Sequence, residues 1–132
     1  MKIYLDTNIY IDFLENRADM LRPLGELAFQ CFKQSLGCEF YIVISNHVIK
    51  ELKDLDISEK QIKEIIAWID SKLIKIHVCR DDMKKARIIS KEFNLHYKDA
   101  LHYQLTKRSA DKLLTNDNEL KQLPICIGYE SL

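Results

Sequence analysis

Four acidic residues stand where an alternating strand and helix pattern would gather ligand-binding chemistry. Asp6 follows the apolar run Ile3-Tyr4-Leu5, and Asp117 lies two residues beyond the run that ends at Leu114-Thr115. Asp99 falls in the first turn of a helix that opens at Tyr97, and Glu51 sits at the edge of a helix that follows a second apolar run. Carboxylates brought into one cleft repel and raise each other's pKa, so such a cluster needs a cation or shared protons. Hard oxygen donors favour Mg²⁺ or Mn²⁺, which usually take one or two protein carboxylates and keep several waters. A metal held in this way orients or deprotonates water and offsets charge on a phosphodiester during in-line attack. The chemistry the four acids point to is therefore hydrolysis with water as nucleophile.

Elements of the right kind and order are needed to bring the acids together. Ile3 to Leu5 reads as a buried strand, with the polar triplet Asp6-Thr7-Asn8 turning into a helix that carries Ile9, Ile11, Phe13 and Leu14. After a polar break from Asn16 to Pro23, apolar residues from Leu24 to Phe32 recur at helical spacing up to Gly37. Phe40 to Ile44 is a second strand, and Ser45 or Asn46 is placed to cap a helix whose inner face is Val48, Ile49, Leu52 and Leu55. Glu51 lies roughly 60° from Val48 around that helix, close enough to lean over the core. Ser58 opens an amphipathic helix with the stripe Ile62, Ile65, Ile66, Ile69 and Leu73, in which no chemistry is visible. Leu73 to Val78 is a third strand, and Asp81 or Asp82 is placed to cap a helix with Met83, Ala86 and Ile89 inward, ending near Asn94. Asp111 to Thr115 is a fourth strand, and Leu123 to Ile127 a last short one that Pro124 confines to a start or an edge.

Strands separated by helices imply a parallel sheet with right-handed crossovers, whose strand C-termini share one edge. Ligands bind at that edge in open α/β sheets. Thr7, Asn8, Thr115 and Asn116 are placed to hold the carboxylates by hydrogen bonds. Each acid also has a plainer reading: Asp6 and Asp117 as helix caps, Asp99 as a partner of its helix dipole, Glu51 as a solvated side chain with Asp54 and Asp56 as rivals. His102 reads as a packing or hydrogen-bonding residue.

At 132 residues, 47% hydrophobic and 30% charged, the chain is expected to form one domain over 1–132. Its 20 basic and 20 acidic residues cancel, so a nucleic-acid partner would be held by a local basic surface or by metal ions. Lys84, Lys85, Arg87, Lys91, Lys107, Arg108 and Lys112 are candidates for phosphate contacts. The longest wholly apolar run, Phe40 to Ile44, is far too short to span a membrane, and the expected location is the cytoplasm. Four cysteines without metal-site spacing read as reduced thiols, and His47 and His77 as idle. A dehalogenase-type phosphatase also begins with an aspartate after its first strand, but Asn8 stands where that chemistry wants a second acid.

The stretches Leu5-Asp6-Thr7-Asn8, Glu51 after strand two, Asp99-Ala100-Leu101-His102 and Leu114-Thr115-Asn116-Asp117 resemble, in that order, the PIN-domain family. That resemblance implies a three-layer α/β/α fold with a mainly parallel sheet of four to five strands. It implies a Mg²⁺- or Mn²⁺-dependent ribonuclease similar to the VapC toxins, with Asp6, Glu51, Asp99 and Asp117 as catalytic metal ligands. Asn8, Thr115 and Asn116 match supporting positions, and His102 a position where the family often has histidine. Tyr103-Gln104 replaces the small residues common there. A small antitoxin and a homodimer are implied partners besides RNA. The alternatives are an RNA-processing nuclease of the same family and a scaffold that binds RNA or protein without catalysis.

Overall fold

The computed structural model describes residues 1–18 and 22–132. Five strands, β1 (Lys2–Leu5), β2 (Tyr41–Ser45), β3 (Leu73–Ile76), β4 (Lys112–Leu114) and β5 (Cys126–Ile127), form one sheet in the order β3-β2-β1-β4-β5. Every pairing is parallel, with Tyr4 opposite Val43 on one side and Leu113 on the other. The two central strands show why their sequences are continuously apolar: Ile3, Tyr4, Leu5, Ile42, Val43 and Ile44 are all buried, as a sheet covered on both faces requires.

Six helices connect and cover the strands: α1 (Thr7–Leu14), α2 (Leu24–Leu36), α3 (Asn46–Asp54), α4 (Glu59–Ile69), α5 (Arg80–Glu92) and α6 (Tyr97–Ser109). α1 packs on α2 and α3, α4 packs on α2 and α3, and α5 pairs with α6, giving the three-layer α/β/α arrangement. Phe13, Phe29, Phe32 and Trp68 interlock where α1, α2 and α4 meet. At the C-terminus, the Tyr129 hydroxyl donates to the buried Asp12 carboxylate at 2.7 Å and fastens the last turn to α1.

Several element ends depart from the sequence pattern for local reasons. Ser45 caps α3 by accepting the Val48 N–H, while Asn46 turns away and accepts the N–H of Val78, joining α3 to the chain after β3. Leu55 lies beyond the last turn of α3 and is exposed rather than inward. α5 starts two or three residues earlier than a cap at Asp81 or Asp82 would have it. Cys79 is its cap residue, and Asp82 reaches back to accept the Cys79 N–H at 3.0 Å. Strands β3, β4 and β5 are shorter than the apolar runs that contain them, since β3 stops at Ile76 and β5 begins only after Pro124 and a left-handed Ile125. Leu73, counted on the α4 stripe, opens β3. Asn94 adopts the left-handed conformation after α5, as an asparagine can. Residues 19–21 of the expected polar break lie outside the described residues.

The strand order reverses between β1 and β4, because the chain builds outward from β1 through β2 to β3 and then returns to the other side. The C-terminal ends of β1 and β4 therefore border the crevice where an open parallel sheet takes its ligand.

Candidate functional site

Asp6 stands at the cap position of α1, yet its side chain makes no capping bond. One oxygen, Oδ2, accepts instead from the Thr115 hydroxyl at 2.8 Å, and Asp6 N–H donates to the Leu114 carbonyl at 2.9 Å. A carboxylate that forgoes its cap and is 3% exposed has been diverted from a structural use. Thr115 also accepts the Asp117 N–H at 3.0 Å, so one hydroxyl positions the acids that follow both central strands. Asp117 does serve as a cap in part: its Oδ1 accepts the N–H groups of Glu119 and Leu120.

Asp99 enters from the first turn of α6. Burial, followed by the negative charges of Asp6 and Asp117, pushes its carboxyl up to about 6. Burial likewise raises Asp6, against the pull of His102 and the Thr115 hydrogen bond. Asp6 and Asp99 thus share one electrostatic environment at the crevice, to which the Asp117 charge contributes, and it disfavours the full ionisation of the pair.

Glu51 is brought to the same edge by α3 and meets a different environment. Its Oε1 accepts from the Thr7 hydroxyl at 2.6 Å and lies 2.5 Å from His102 Nε2. Burial opposes its ionisation, but the His102 hydrogen bond and charge and the Thr7 bond overcome that and hold it down to about 2. His102 is 1% exposed, and its Nε2 is also 3.6 Å from Asp6 Oδ1. Its Nδ1 is 2.9 Å from the Tyr4 hydroxyl, which is 2.7 Å from Ser45 Oγ. Burial alone would lower His102, yet the Glu51 hydrogen bond and the charges of Asp6, Glu51 and Asp99 raise it overall. His102 therefore faces three of the acids, and their charges pull its imidazole toward protonation against its burial.

The PIN domain model matches residues 3–125 of this sequence. The chain belongs to the PIN domain family. No curated protein matches it in sequence. Among solved structures, it is similar to a chain of a toxin-antitoxin complex from Klebsiella pneumoniae, with TM-score 0.70 and 18% identity over 96% of this chain and 97% of that one. It is similar to a chain of VapBC2 from Rickettsia felis, solved bound to a promoter DNA fragment, with TM-score 0.67 and 20% identity over 97% and 98%. It is also similar to VapC20 of Mycobacterium tuberculosis, described as a sarcin-ricin loop cleaving toxin, with TM-score 0.66 and 16% identity over 93% and 95%. These likenesses show a shared fold.

Other expected residues of this PIN domain are placed differently from one another. Asn116 makes no hydrogen bond to an acid among the described residues and instead accepts from Arg22 at 2.6 Å. Asn8 lines a cleft of about 370 Å³ with Asp12, Arg17 and Asn116. Arg108 is not a free phosphate contact: its guanidinium clasps the fully buried Asp82 with two bonds of 2.9 Å, at the far end of α6 from Asp99. Lys85 pairs with Asp81, and Lys107 lies over the Tyr103 ring. All four cysteines are free, and no helix among the described residues is long and apolar enough to cross a membrane.

His47 is not idle. Its Nε2 lies 3.7 Å from Glu51 Oε1, and its ring is 4.5 Å from that of His102. Burial and the neighbouring His102 charge push it down to about 4, so it is neutral at pH 7. The signal was present in the four-residue spacing from Glu51, which places both on one helix face. What the spacing does not carry is that His102 arrives opposite them from a helix fifty residues later.

Proposed function

We propose that this PIN domain, spanning 1–132, is an endoribonuclease that hydrolyses RNA phosphodiester bonds with the help of Mg²⁺ or Mn²⁺, and that it is the toxin of a VapBC-type pair. The observation that carries the reading is Asp99, raised to about 6 between Asp6 and Asp117 at the reversal point of the sheet. A divalent cation relieves that repulsion, and a donor set of carboxylate oxygens suits a hard ion. Asp6, Asp99 and Asp117 would hold it, with Glu51 beside them.

When bound, such an ion activates water at neutral pH and offsets charge on the scissile phosphate. The chain's own residues supply the preorganisation. Thr115 keeps Asp6 and the Asp117 backbone in fixed relation, and Thr7 and His102 fix Glu51. The His102 Nε2 proton, shared with Glu51 Oε1, limits the negative charge an RNA phosphate meets on approach.

The toxin assignment is supported by fold likeness to a toxin-antitoxin complex and to two VapC proteins over nearly the whole chain. It brings with it a small antitoxin and a homodimer as partners, and a cytoplasmic site of action. The test is incubation of labelled single-stranded RNA with wild type and Asp99→Asn, with Mn²⁺ or Mg²⁺ and with EDTA. Cleavage by wild type that EDTA stops and the variant lacks is the expected result. Undiminished cleavage by Asp99→Asn would sink the assignment, and binding of RNA without cleavage by wild type would favour the scaffold. Growth arrest on expression of the chain alone, relieved by a co-expressed small partner, separates a toxin from a processing nuclease.

A further inference from the structure

His47, Glu51 and His102 present two imidazole nitrogens and a carboxylate oxygen, all within 4.8 Å of one another. This is a different kind of donor set from the three aspartates beside it. Imidazole suits borderline ions such as Zn²⁺ and Co²⁺, whereas Mg²⁺ prefers oxygen alone. We propose that His47, Glu51 and His102 form a second metal site in this chain, selective for a transition metal of the Zn²⁺ class and distinct from the aspartate cluster.

Three features of the geometry support it. Tetrahedral ligands at about 2.0–2.1 Å from zinc stand roughly 3.4 Å apart, and Glu51 Oε1 is 3.7 Å from His47 Nε2 and 2.5 Å from His102 Nε2. The first must close slightly, the second open by less than the width of an atom, and the two imidazole nitrogens, which lie within 4.8 Å of each other, must come to the same spacing. Second, His102 is already oriented as a ligand. Its Nδ1 faces the Tyr4 hydroxyl, which Ser45 in turn holds, so Nδ1–H can donate to Tyr4 while Nε2 points to the site. A hydrogen bond from the remote ring nitrogen is the usual support of a metal-binding histidine. Third, the site has a buried side and an open one: His102 is 1% exposed, while Glu51 is 17% exposed and gives an ion a way in. Three protein ligands leave the fourth position to water, as in zinc sites that are not purely structural.

Occupation would replace the His102–Glu51 hydrogen bond by two metal bonds, with the Nε2 proton released to solvent. The long contact of 3.3 Å between His47 Nε2 and the Lys98 carbonyl would be given up as well. Glu51 would then be unavailable to the aspartate cluster, so zinc would oppose Mn²⁺-dependent turnover. That last consequence rests on the nuclease reading; the site itself does not.

The experiment uses Co²⁺ as a spectroscopic stand-in for Zn²⁺, without RNA. Co²⁺ added to the wild type is expected to give the intense visible bands of a four-coordinate ion, displaced by Zn²⁺ and not by excess Mg²⁺. The bands should persist in Asp99→Asn and vanish in His47→Gln. Tyr4→Phe should weaken Zn²⁺ binding by about 10–100-fold, the usual effect of losing the partner of a ligating histidine. Because a substituted His47 could disturb α3, the imidazole ¹⁵N resonances of the wild type are followed too, with Zn²⁺ expected to shift one ring nitrogen of His47 and Nε2 of His102. The proposal is overturned by weak six-coordinate bands, by bands that survive in His47→Gln but disappear in Asp99→Asn, or by His47 and His102 resonances that Zn²⁺ leaves unmoved. No Mn²⁺-dependent RNA cleavage by wild type kept free of Zn²⁺ and Co²⁺, in a protein that gives the Co²⁺ bands once Co²⁺ is added, would count against the nuclease alone.

Discussion

The two ends of α6 hold carboxylates in opposite ways. Near its C-terminus, Asp82 of α5 is completely buried, and Arg108 grips both its oxygens while Cys79 N–H and Gln104 add further bonds. Despite burial, that set of donors holds Asp82 down to about 2. At the N-terminal end, Asp99 faces Asp6 and Asp117, and its carboxyl rises to about 6. The guanidinium is part of the fold, so the Asp82 end is electrically complete. The Asp99 end has no such fixed partner: Glu51, Asp6 and Asp99 all pull on one imidazole, that of His102, and raise its pKa against burial. A buried acid with a fixed, bidentate partner is a fastener, whereas acids that face one another raise each other's pKa and mark a candidate functional site.

The largest effect of a single substitution is expected at the Asp82 end. Arg108→Ala leaves Asp82 buried without its partner and should destabilise the fold by about 3 kcal/mol, the low end for a broken buried pair because Arg108 is partly exposed. Urea denaturation measures it, and a change within error would mean that Asp82 is satisfied by Cys79 and Gln104 alone.

At the other end the sign should reverse. The raised pKa of Asp99 means that the metal-free fold prefers it protonated, so its contribution is lost as pH rises from 3.8 through about 6. Asp99→Asn should therefore stabilise the metal-free chain at neutral pH by on the order of 2 kcal/mol, and should give no gain below the unfolded pKa. Denaturation in EDTA at the two pH values checks this, and a destabilised Asp99→Asn would make that acid a structural one.

The smallest expected effect is on acid tolerance. Asp82 has a depressed pKa, so its stabilisation is complete above the unfolded value of 3.8 and disappears as pH falls through about 2. On the order of 1–2 kcal/mol should be lost across that window, and less in Arg108→Ala, where the clasp is already gone. Melting curves through the acid range would sharpen the contrast if the wild type and variant converge.

Much of the architecture was legible along the chain because it is written in local chemistry. Apolar runs ending in polar triplets mark β1 and β4, helical spacing marks α2, α4 and α5, and a parallel sheet follows from their alternation. The same logic placed Asp6 and Asp117 at strand ends and Asp99 in a first helical turn, where the structure has them. Element ends were less legible. A cap such as Cys79 is identified by the bond Asp82 makes to it, and Asp81 and Asp82 look equally suitable in sequence.

The order of residues along the chain carries the set of acids and the succession of elements that brings them to one edge. The partners each acid meets there come from packing. Asp6 declines its cap for Thr115, 109 residues away, and Glu51 turns to His102, 51 residues away. Arg108 leaves the list of phosphate contacts for Asp82, and His47 joins the site it was expected to miss. The reason is physical: helix and strand periodicity reports which face of an element is buried, whereas the charge state and partners of a buried polar group depend on which other groups arrive opposite it. That arrival is a property of the packed sheet and its layers.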